Sequence, residues 1–70
     1  MNADLADVID LLIDGREAEG KQMVRTLIRK GLKYEGIEKA TGIRKQSISR
    51  MLSPKGNPTS RNLFLILRNL

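Results

Sequence analysis

Seventy residues suffice for one domain, and a chain of this length buries only roughly 60% of the surface its unfolded form exposes. It contains neither cysteine nor histidine, which excludes disulfides, thiolate metal sites and the usual nucleophile and general-base pairs, so no enzymatic role is expected. The net charge of +5 hides two unlike regions: residues 1–20 set six carboxylates against Arg16 for a net of −5, whereas residues 21–70 carry +10. A field so divided predicts a polyanion, nucleic acid above all, on one side.

Leu5, Val8, Ile9 and Leu12 recur at spacings of three, one and three, which predicts an amphipathic helix over residues 3–14. Asn2 is its expected cap, Asp4 and Asp7 suit the positive end of its dipole, and Asp14-Gly15 is its stop. Met23, Val24, Leu27 and Ile28 predict a second helix over residues 17–30 with Gly31 as its C-cap. A short third helix is expected from Tyr34 or Glu35 to Thr41, ended by Gly42 in left-handed backbone. Residues 44–52 read as a fourth helix with Ile48, Met51 and Leu52 inward. Ser53-Pro54-Lys55-Gly56-Asn57-Pro58 is a loop by composition, and Thr59 or Ser60 caps a last helix, residues 60–70, with Leu63, Ile66, Leu67 and Leu70 on one face. No alternating strand pattern of useful length is present, so the expectation is a single all-α, five-helix domain over residues 1–70. No apolar run approaches a membrane span and no basic head precedes an apolar stretch, which predicts a cytoplasmic protein without membrane contact.

Counted from Tyr34 as position 1, Ile37, Gly42, Ile43, Ile48 and Met51 fall at positions 4, 9, 10, 15 and 18, the spacing of a DNA-binding helix-turn-helix. Gly42 permits the turn, Ile43 plugs the angle between the helices, and Ile48 and Met51 anchor the second helix. Arg44, Lys45, Gln46, Ser47, Ser49 and Arg50 then point outward, as a helix entering the major groove requires. Gln46 pairs bidentately with adenine and Arg44 or Arg50 with guanine, while Lys45, Ser47 and Ser49 equally suit phosphates. Lys33 and Tyr34 are further phosphate candidates, with packing the competing role of Tyr34. Lys55, Asn57, Thr59 and Arg61 form a second such group in and after the proline loop.

Phe64 and Leu65 give the last helix more apolar breadth than one core face uses. A homodimer interface would use the excess, and a dimer would read half-sites about 34–36 Å apart; central packing of that helix is the competing explanation. Asp4, Asp7, Asp10 and Asp14 are spread around their helix and lack the loop pattern of a calcium site, so no metal and no cofactor are expected.

Residues 34–70, with the stretch GIEKATGIRKQSISRMLSPKGNPTSRNLFLILRNL, resemble the lambda-repressor-like (Xre/Cro) helix-turn-helix proteins, and more closely the addiction-module antidotes of bacterial toxin–antitoxin pairs, whose order the acidic first helix, the Asp14-Gly15 break and the second helix also follow, so that the likeness covers nearly the whole chain. The likeness lies in a helix-turn-helix running into the SP-x-GNP segment Ser53–Pro58, then a hydroxyl residue and a leucine-rich helix ending in LILRNL. It implies a protein that binds a double-stranded DNA operator, represses its own transcription and neutralises a small toxin. The alternatives are a phage Cro-like regulator without a toxin, or an RNA-binding or protein-interaction module. Two residues depart from the family pattern. Glu38 stands where alanine usually lets the helices approach, which implies a carboxylate displaced to the edge or a looser crossing. Arg44 stands where Ser or Thr commonly caps the recognition helix, which implies either a loss of about 1 kcal/mol or a helix N-terminus open to phosphate.

Overall fold

The computed structural model describes residues 3–70, leaving out the side chain of Ala3. Among them the chain forms five α-helices and no strand: α1 Ala3–Ile13, α2 Glu17–Lys30, α3 Lys33–Thr41, α4 Lys45–Met51 and α5 Ser60–Leu67. The expected Asn2 cap lies outside the described residues. Asp14-Gly15 does stop α1, with Gly15 at φ 78°.

Gly31 closes α2 by donating its N–H to the Leu27 carbonyl at 3.0 Å. The left-handed residue of this connection is Lys33, at φ 63°, and α3 begins there, a residue earlier than the spacing suggests. α5 opens as expected, the Thr59 hydroxyl accepting from the Asn62 N–H at 3.2 Å. It closes at Leu67, three residues before the expected end. The Asn69 side-chain amide donates to the Leu65 carbonyl at 2.7 Å, and the Asn69 and Leu70 N–H groups reach back only three residues, so the last turn tightens out of α geometry.

The apolar stripes converge on one core: Val8 from α1, Val24 and Ile28 from α2, Ile37 from α3, Ile48 from α4, Leu52 just beyond it, and Ile66 and Leu67 from α5. Each such side chain, moved from water to the interior, contributes roughly 1.5–3 kcal/mol before chain entropy is counted. Leu70 packs against this core although it lies outside the helix. No helix among the described residues is long and apolar enough to cross a membrane.

Candidate nucleic-acid interface

The turn between α3 and α4 is locked from within. Gly42 takes φ 77° and donates its N–H to the Glu38 carbonyl at 2.8 Å, a left-handed C-cap that a Cβ would strain. Thr41 Oγ1 donates to the Ile37 carbonyl at 2.7 Å and accepts from the Ile43 N–H at 3.1 Å, which holds Ile43, half-buried, against the core.

Ile48 and Leu52 are fully buried. Met51, expected as the second anchor, is only half-buried. Around a helix Leu52 lies about 40° from Ile48 and Met51 about 60° to the other side, so the interior receives Leu52 first. The helix itself is shorter than the expected 44–52, with Arg44 as N-cap and Leu52 as C-cap.

The two departures from the family pattern explain each other. Arg44 offers no side-chain cap. Instead the Glu38 carboxylate reaches across the turn and accepts from the Lys45 N–H at 2.8 Å, doing from α3 what a Ser at position 44 would do locally. Glu38 is therefore displaced to the helix edge, and the N-terminus of α4 is closed by a carboxylate rather than open to phosphate. Lys45 is held at its other end too, its ammonium 3.6 Å from Glu35. The Glu35 carboxyl is lowered from its ordinary value by its own backbone N–H and then by the Lys45 charge.

At the far end of α4 two cations from α2 converge on carbonyls. Lys21 Nζ donates to the Gly56 carbonyl and, at 3.4 Å, to that of Ser53. Arg25 donates to the Leu52 carbonyl. Cations at a helix C-terminus meet both the dipole and its unsatisfied oxygens. Gly56 packs so closely under α4 that a methyl group there would collide with the Arg50 and Met51 carbonyls. Sequence reasoning missed this clamp. Its signal is the run Lys21, Val24, Arg25, Ile28, spaced three, one and three, which puts two cations inside the apolar stripe of α2.

Of the six residues expected to point outward, Arg44, Gln46, Ser49 and Arg50 face solvent, whereas Lys45 and Ser47 are half-buried. Gln46 and Arg50, four residues apart, sit side by side about 160° from the Ile48 anchor. None of the four exposed side chains has a hydrogen-bond or ion-pair partner among the described residues. Lys33 is exposed, but Tyr34 is half-buried against the core, which favours its packing role.

Lys55, Asn57, Thr59 and Arg61 are exposed. Asn57 lines a cleft of about 250 Å³ with Leu12, Glu17, Lys21 and Pro58, so the loop leans on α1 and α2. Phe64 is exposed and Leu65 half-buried. Among the described residues no group of three carboxylates is placed to hold a metal ion. No protein family, curated protein or solved structure matches the chain.

Proposed function

We propose that this chain is a sequence-specific double-stranded DNA-binding domain of lambda-repressor-like type, acting as a repressor or autoregulator, with α4 as the reading helix. The observation that carries this reading is the two-faced construction of α4. One face is sealed by Ile48 and Leu52, both ends are tied by Glu38 and by Lys21 and Arg25, and the outer face presents Arg44, Gln46, Ser49 and Arg50 without internal partners. A helix with its side chains is about 10–12 Å across, which a major groove about 12 Å wide admits.

In this arrangement Gln46 reads adenine and Arg50 reads guanine, each bidentate pair contributing roughly 1–3 kcal/mol of discrimination. Arg44, Ser49, Lys55 and Arg61 meet phosphates. Lys45 acts mainly inside the domain, since Glu35 neutralises part of its charge. The likeness of residues 36–70 to addiction-module antidotes adds a second proposed activity, capture of a small toxin, which co-expression with a neighbouring reading frame of toxin size tests.

DNA binding is tested by selecting a duplex from random sequence and titrating it at rising salt. Affinity should fall linearly in log–log form, in proportion to the phosphates contacted, and Gln46→Ala and Arg50→Ala should relax selectivity with the fold intact. Equal competition by duplex RNA, or undiminished operator affinity in both variants, overturns the reading.

A further inference from the structure

Residues 21–70 contain twelve Lys and Arg residues and two carboxylates, Glu35 and Glu38. Both carboxylates stand on α3, and both meet Lys45, the first residue of α4. Glu38 accepts from the Lys45 backbone N–H at 2.8 Å, and Glu35 lies 3.6 Å from its ammonium. The only acidic groups of the basic stretch thus converge on one lysine, at the edge of the face that α4 turns outward.

The two contacts act on different parts of Lys45. Glu38 fixes its backbone and so sets where the side chain starts, and Glu35 holds the ammonium at the other end. Lys45 lies about 40° round the cylinder from the exposed Ser49, which puts its charge beside the outer face. Glu35 is itself exposed. Its carboxyl is held below the ordinary value by its own N–H first, then by Lys45 and more weakly by Lys33, so it is ionised at neutral pH within the field of both lysines. A carboxylate in that place repels a phosphate and competes with it for the ammonium. Because an exposed ion pair stabilises a fold little, the main effect of this one falls on the charge offered to a polyanion.

We propose, on the reading of α4 as the duplex-facing helix, that Glu35 attenuates sequence-independent affinity by keeping the Lys45 ammonium from the phosphate backbone. The domain then makes one phosphate contact fewer than its outer cations allow. Phosphate contacts add affinity without sequence information, so Glu35 weakens binding to every duplex alike and leaves discrimination to Gln46 and Arg50.

The test titrates the full chain with the selected operator and with a scrambled duplex of equal length. Glu35→Gln should bind both more tightly by the same factor, about fivefold at about 50 mM salt and close to parity at about 200 mM, because one more phosphate steepens the log–log slope by about 0.9. Asp10→Asn makes the same change of net charge on exposed α1 and should leave the slope as it is. Adding Lys45→Met to Glu35→Gln should restore the parent slope, with circular dichroism unchanged throughout. A parent slope in Glu35→Gln, an equal gain in Asp10→Asn, or a double variant that keeps the gain would each overturn the attenuation while duplex binding by α4 stands. A parent that binds no duplex overturns the reading of α4 instead. Heparin, a polyanion without bases, then still reports on Lys45: Glu35→Gln should elute at higher salt than Asp10→Asn, and equal elution overturns the hold of Glu35 on that charge.

Discussion

Lys21 and Arg25 on one side, Arg44 and Arg50 on the other, are two pairs of cations in the same basic stretch of chain, and the fold uses them in opposite ways. Lys21 is only 8% exposed and, with Arg25, meets the carbonyls of Leu52, Ser53 and Gly56. Arg44 and Arg50 are exposed and have no partner among the described residues. A buried cation must replace its hydration with fixed dipoles or leave the interior, whereas a solvated one keeps water until a polyanion displaces it. The first pair therefore belongs to stability, and the second stays free for the duplex contact proposed above, although composition counts them alike.

Substitutions sharpen or break that contrast. The largest expected effect is at the loop the inward pair holds: Gly56→Ala forces the loop away from the Arg50 and Met51 carbonyls, costing about 3 kcal/mol in urea unfolding, most of the stability of so small a domain. Lys21→Met should lower stability by about 2 kcal/mol, since the Gly56 carbonyl loses its cationic donor. If it were neutral, the inward pair would have no structural role.

Glu38→Ala removes the remote cap of α4 and should cost about 1 kcal/mol. Adding Arg44→Ser to that variant should recover most of the loss, because residue 44 already has extended cap geometry at φ −60°, ψ 140°. Gln46→Ala and Arg50→Ala should move the unfolding midpoint by less than about 0.5 kcal/mol equivalent, their effect appearing only in duplex binding.

The smallest effect is acid-dependent. The Glu35 carboxyl has a folded value lowered from 4.5 by its own N–H and by Lys45. Its contribution is thus present above that ordinary value and lost as pH falls through the lowered one. Thermal melts of the parent and Glu35→Gln should converge slightly at the acid end of the range and stay parallel above it.

Most helix positions were legible because the apolar spacing of Leu5, Val8 and Leu12, or of Val24 and Ile28, matches the turn of an α-helix and little else. Gly42 and Thr59 were legible for equally local reasons: one needs left-handed backbone, the other offers a hydroxyl to its own helix. The clamp at the end of α4 was not, because Lys21 and Ser53 are 32 residues apart, and a lysine in an apolar stripe does not name the carbonyl it will meet. For the same reason Glu38 read only as a carboxylate at the edge or a looser crossing, since its capping role exists only once α3 brings its carboxylate to the Lys45 N–H.

By itself the sequence determined an all-helical chain, the Gly15 and Gly42 turns, and the exposed Arg44, Gln46, Ser49 and Arg50 of α4, since each follows from spacings within a few residues where helical geometry leaves one arrangement. Only the tertiary structure decided which cations turn inward, that Leu52 rather than Met51 fills the core, and that both carboxylates of α3 meet Lys45. Those outcomes depend on which surfaces meet, and contact across distant segments is set by packing of the whole chain.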